Sequence, residues 1–125
     1  MVRMVLQRGV ADCGLAALAI LLSAHAIEYD AVAAKAPRGA ERDGLLTREL
    51  VATARRLGVT LTAARSYDLD VDAGVLRVRS HVHHRHGHWV TVRYGLVFDP
   101  HDGTARPWRD FAAKYRARFG MLARA

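Results

Sequence analysis

The apolar pattern of this chain changes period at Gly58, and that change decides the fold class. Before it, apolar residues recur at helical spacing. Leu15, Leu18, Ala19 and Leu22 make one stripe, and Ala16, Ala17 and Ile20 widen it until the helix must be buried on most sides. Asp12 is an N-cap residue type at its start, and the end is expected near His25. Tyr29 to Lys35 reads as a short second helix, and Pro37, Gly39 and Gly44 as a surface loop. Thr47 is expected to cap a third helix with Leu50, Val51, Ala54 and Leu57 on its apolar side, stopped by Gly58. After Gly58 the residues alternate. Val59, Leu61 and Ala63 begin one run, and Leu76, Val78 and Val82 lie in a second. His88 to Arg93 and Leu96 to Asp99 flank Tyr94-Gly95, a tight-turn pair. Pro100 and Gly103 close that region, and Trp108 to Arg118 is predicted as a last helix. Helices first and strands afterwards make the class α+β, with N-terminal helices packed on a C-terminal antiparallel sheet.

At 125 residues, 51% of them hydrophobic, the chain suits a single domain, 1–125, with one core. The formal net charge of +7 is compatible with nucleic acid, an acidic membrane face or an acidic peptide. The arginines are dispersed, however, and no run of five or six like charges forms a binding arm, so no nucleic-acid partner is expected. One cysteine excludes an intramolecular disulfide and suits a reducing compartment. The longest apolar stretch, Gly14 to Ala24, is shorter than the ~18 residues a membrane span needs. A soluble cytoplasmic protein without stable membrane insertion is the expectation.

That lone cysteine falls in the first turn of the most apolar helix. A thiol attacks as thiolate, and helix N-terminal N–H groups favour the anion. A lone cysteine is more often an inert core residue, so its neighbours matter. Gln7 stands six residues earlier, where its amide could join the Cys13 N–H in holding an oxyanion. Gly14 would leave open space for a substrate backbone, and Trp89 is a further candidate substrate contact.

A cysteine nucleophile needs a histidine base, which a third group often orients. If Tyr94-Gly95 is a two-residue turn, Arg93 faces Leu96, Val92 faces Val97 and Val90 faces Asp99. His88 then shares the Asp99 face, diagonal to it at about 7–8 Å between backbones, within reach of the two side chains. A one-residue slip would separate them.

Gln7-Arg8-Gly9-Val10-Ala11-Asp12-Cys13-Gly14 resembles the cysteine motif of peptidase family C39: Gln, four variable residues, an acidic residue and Cys-Gly. His88-Trp89-Val90-Thr91-Val92 resembles its histidine strand, and Asp99-Pro100 with Gly103 its Asp-Pro segment. Asp43-Gly44-Leu45-Leu46-Thr47 and Arg56-Leu57-Gly58-Val59 resemble its intervening helix and Leu-Gly exit. The likeness implies a papain-like fold with Cys13 as nucleophile, His88 as base, Asp99 orienting the imidazole and Gln7 lining the oxyanion hole. It implies no cofactor. Members of the family often form the N-terminal domain of bacterial ABC exporters and cut leader peptides after a double glycine. A peptide substrate of that kind and an exporter partner are thus expectations. No transporter segment follows in this chain, which fits either a free-standing enzyme or one domain of a larger protein.

Two other readings share these residues. Acyl transfer or glutamine deamidation would use the same triad and thioester, and a binding module would hold a peptide or nucleic acid without cutting it. His81, His83, His84, His86 and His88 crowd together, which makes zinc conceivable. They lack a knuckle spacing and a fourth-ligand set, so no metal is expected.

Overall fold

The computed structural model describes residues 1–80, 82 and 87–125. The first helix, α1 (Cys13–Leu22), runs into a 3-10 turn at Ser23–His25 and is followed by α2 (Tyr29–Lys35), α3 (Ala40–Asp43) and α4 (Thr47–Arg56). Then come β1 (Thr62–Ala64), β2 (Gly74–Arg79), β3 (His88–Arg93), β4 (Leu96–Asp99), β5 (Thr104–Pro107), α5 (Trp108–Tyr115) and β6 (Arg118–Arg124). The strands form one six-stranded sheet in the order β1-β6-β2-β3-β4-β5, with every neighbouring pair antiparallel.

Helix α1 has no polar face, and every residue from Gly14 to Leu22 is buried. It lies on β3, where the Thr91 hydroxyl donates to the Ala17 carbonyl. On this side of the sheet Leu15, Leu18 and Leu22 meet Leu50, Val75 and Trp89. The other side carries a second core of Leu76, Val90, Val97 and Leu122 under Phe111 of α5. Alternation along β3 therefore sends Trp89 and Thr91 toward the helices, and Val90 and Val92 away from them.

The helices α1, α2 and α4 and the β3–β4 hairpin follow the sequence pattern. Four expectations are corrected. The 37–46 loop contains α3, a single turn between Gly39 and Gly44, both at positive φ. Leu46 rather than Thr47 occupies the N-cap of α4, and its N–H donates to Glu49 at 2.8 Å. The last helix stops at Tyr115, with Arg116 left-handed behind it. Arg118 opens β6, which was not foreseen and which sits between β1 and β2. Among the described residues, no single helix is long and apolar enough to cross a membrane.

Candidate active site

The β3–β4 register pairs Arg93 with Leu96, Val92 with Val97 and Thr91 with Phe98, as the two-residue turn requires. Tyr94 and Gly95 both take positive φ, the conformation that turns a two-residue loop with the strand twist. Beyond Thr91 and Phe98 the strands part, and there His88 and Asp99 meet. His88 Nε2 lies 2.7 Å from Asp99 Oδ1, and both side chains are buried. The same carboxylate oxygen accepts the His101 N–H at 3.0 Å. The His101 ring stands edge-on to His88 with centroids 6.2 Å apart.

Cys13 is the first residue of α1 and is half-buried. The backbone N–H groups of Trp89, the residue after His88, and of Gly14 both favour its thiolate. The Asp99 carboxylate also acts on the thiol, which puts Cys13 in the neighbourhood of the His–Asp pair. Burial pushes the Cys13 thiol above its ordinary pKa, against the pull of those two N–H groups; the Asp12 and Asp99 carboxylates push the same way. The helix terminus alone was expected to lower it. Desolvation of the thiolate outweighs the N–H donors.

Asp12 was expected to cap α1 by its side chain, but the carboxylate turns back instead. It accepts the N–H of Arg8 and of Gly9, each at 2.8 Å, and the Tyr29 hydroxyl at 2.6 Å. Burial and this carboxylate hold the Tyr29 phenol well above its ordinary pKa. The Arg8 guanidinium lies 3.9 Å above the Tyr29 ring and pairs with exposed Asp30 at 2.8 Å. The turn ahead of Cys13 is thereby fastened to α2. No sequence motif announced this anchor. The signal was a carboxylate three and four residues after two backbone donors, which was taken for a helix cap.

Gln7 begins that turn. Its N–H donates to the Pro100 carbonyl at 2.9 Å, which ties it to the chain leaving Asp99. Its Nε2 donates to the Gly9 carbonyl at 2.8 Å, while its Oε1 is buried with no hydrogen-bond partner among the described residues. Gln7 is thus tied to Pro100 and His88 to Asp99, and the Trp89 backbone and the Asp99 carboxylate lie close enough to Cys13 to act on its thiol.

A cleft of about 850 Å³ opens on Cys13, lined by Trp89, Leu45, Leu46, Pro37 and Arg77 among others. Trp89 forms part of its wall, and its indole N–H donates to the Leu45 carbonyl at 3.0 Å. The wall formed by residues 37–46 was read from sequence as loop only. Gly14 does not provide open space for a substrate. It is buried, and a Cβ there would come within 3.0 Å of Trp89 and 3.3 Å of Leu45. Its small size lets Trp89 close over the first turn of α1. Among the described residues no group of His, Cys, Asp or Glu could hold a metal ion. Of the histidine cluster, His81, His83, His84 and His86 lie outside the described residues.

Residues 1–115 match the family model described as the Peptidase C39 family. Among solved structures, the chain is similar to one described as a double glycine motif protease from an AMS/PCAT transporter, in complex with the leader peptide. The TM-score is 0.63 at 18% identity, over 98% of this chain and 92% of that one. No curated protein matches the chain.

Proposed function

The chain belongs to the peptidase C39 family of cysteine peptidases, and from that premise we propose that Cys13, His88, Asp99 and Gln7 cut a peptide bond together. The observation that carries this assignment is the buried 2.7 Å contact of His88 with Asp99, with Trp89, the next residue, acting through its N–H on the Cys13 thiol. Asp99 engages Nε2 and fixes the ring, which makes Nδ1 the nitrogen that exchanges a proton with the thiol. As the sulfur attacks the scissile carbonyl, its proton passes to His88. The carbonyl oxygen gains the charge, received by the Cys13 N–H at the helix start and by the Gln7 amide, which exchanges the Gly9 carbonyl for the oxyanion. His88 returns the proton to the leaving amine. It then takes one from water, whose hydroxyl releases the acid from the thioester.

The substrate in this proposal is the leader segment of an exported peptide, cut after a double glycine, with an ABC exporter as partner. Support comes from the family and from the shared fold with a protease of that kind. The test is cleavage of a peptide containing Gly-Gly. Cys13→Ala is expected to abolish it. Gln7→Ala is expected to lower kcat about 100-fold or more while leaving the unfolding midpoint unchanged, since its side chain makes one local bond. Turnover by Cys13→Ala would overturn the whole assignment, and a full rate in Gln7→Ala would remove Gln7 from the oxyanion site.

A further inference from the structure

The cleft wall at Arg77 continues along the sheet into two arginines that the proposed chemistry does not use. Arg77 lines the cleft beside Trp89, with its guanidinium 5.6 Å from that ring. Two residues on, Arg79 projects from the same face of β2. Directly across the β2–β6 ladder from Arg79 stands Arg118, and both are exposed. Beside Arg77 on β6 lies Gly120, where a Cβ would sit 3.7 Å from the Arg77 Cβ, so that position places no side chain over Arg77.

Like charges placed directly opposite on paired strands repel, and a sheet ordinarily relieves them with a carboxylate. Here none does so. Neither Arg79 nor Arg118 forms an ion pair among the described residues, whereas Arg124, at the far end of the same strand, approaches Asp72 at 3.9 Å. Residues 80–87, which follow Arg79, contain no Asp or Glu. The carboxylates of the cleft are engaged elsewhere: Asp43 pairs with Arg42 at 3.1 Å, and Glu49 accepts the Leu46 N–H at 2.8 Å.

We propose that Arg79 and Arg118, continuing the cleft wall at Arg77, form a subsite for an acidic segment of the peptide that Cys13 cleaves. The occupant rests on the peptidase reading above and on charge complementarity: an extended peptide leaving the cleft past Trp89 and Arg77 runs onto two opposed cations that lack an anion. Carboxylates there relieve the Arg79–Arg118 repulsion and gain from both guanidinium groups. A nucleic-acid strand fits less well, because the strip is two residues wide and, among the described residues, carries no aromatic ring of its own to stack a base.

The experiment uses two labelled peptides of equal length containing Gly-Gly, one with three Glu and one with three Gln at matched positions. A second pair moves the three residues to the other side of the Gly-Gly. Binding is read by anisotropy on the Cys13→Ala protein. The Glu peptide of one pair is expected to bind about fivefold tighter at about 50 mM salt, with the advantage shrinking at about 0.5 M. The double variant Arg79→Gln, Arg118→Gln should bring the ratio toward one. Removing the same charge from α4, with Arg55→Gln and Arg56→Gln, should preserve it. Equal affinities in both pairs, or an equal fall in the α4 variant, would overturn the proposal. So would a single-stranded oligonucleotide that binds through Arg79 and Arg118 more tightly than the Glu peptide. Cleavage by the wild-type protein is scored separately: failure to cut any peptide counts against the peptidase assignment, whereas the binding ratio alone judges this one.

Discussion

Two arms bring the active-site side chains together, and they are held by different physics. The hairpin arm, β3 and β4, carries His88 and Asp99 on paired strands, where backbone register fixes which side chains share a face. The helix arm carries Gln7 and Cys13 on a turn and a helix start, where no register exists. A buried carboxylate, Asp12, does the holding there, through two N–H groups and a phenol. The hairpin arm is complete without substrate: the imidazole already has its partner. The helix arm is not, since the Gln7 amide is bound to Gly9 and burial disfavours the Cys13 thiolate. On the proposed roles, the base is set by folding, and the Gln7 amide must leave the Gly9 carbonyl when substrate binds.

The comparison breaks most sharply at Asp99. Asp99→Ala should lower kcat on the order of 100-fold to 1,000-fold, the range of a mispositioned general base, with KM little changed because Asp99 lies behind the ring and away from the cleft. Asp99→Asn should retain much more activity, since an amide oxygen still accepts from Nε2. If alanine and asparagine fell equally, the carboxylate would act through its charge and not by orienting His88.

At the second arm the same logic gives a different outcome. Asp12→Ala strips two backbone donors and a buried hydroxyl of their acceptor, so it should cost about 2–4 kcal/mol in a denaturant titration. It should also lower kcat, by letting Gln7 and the Cys13 N–H drift. Tyr29→Phe removes one of the three bonds and should cost about 1 kcal/mol with little effect on rate. A stable Asp12→Ala protein with normal turnover would mean that the turn is held by the Gln7–Pro100 bond and the Arg8 stack alone.

The sequence revealed the two arms unequally, for the same reason. A two-residue turn sets strand parity by counting, so the pairing of His88 with Asp99 is legible in the sequence. Helix α1 was equally plain, because ten residues with no polar face can only be buried. What failed depended on distant chain. Gly14 was read as open space, but Trp89, 75 positions away, fills it. Asp12 is a capping residue by type, and only the fold shows Arg8, Gly9 and Tyr29 competing for it. Apart from Phe119, strand β6 is built of Arg, Met, Leu and Ala around Gly120, residues of helical or neutral preference. Its β2 and β1 partners impose the extended form. Helix α3 has only one turn, below the length at which periodicity can be read.

The smallest effect concerns the thiol, and it discriminates between two ways of reaching the same thioester. A preformed thiolate–imidazolium pair would make Cys13 react quickly with iodoacetamide at about pH 6, below the ordinary thiol pKa. The raised pKa of Cys13, caused chiefly by desolvation, favours the opposite outcome: a proton that stays on sulfur until attack and then passes to His88. Alkylation of substrate-free protein should therefore be slower at neutral pH than that of the same thiol in denaturant, and should climb only above about pH 8.5. The sign carries into stability. Below the unfolded thiol's pKa both states are protonated, and the contribution of the neutral buried thiol is fully present. As pH rises from there through the raised native value, the unfolded chain ionises first and the contribution is lost. Cys13→Ala should abolish that alkaline decline, leaving a flatter stability curve above about pH 8.5. Rapid alkylation near pH 6, with no such difference between the two curves, would establish an ion pair formed before substrate arrives.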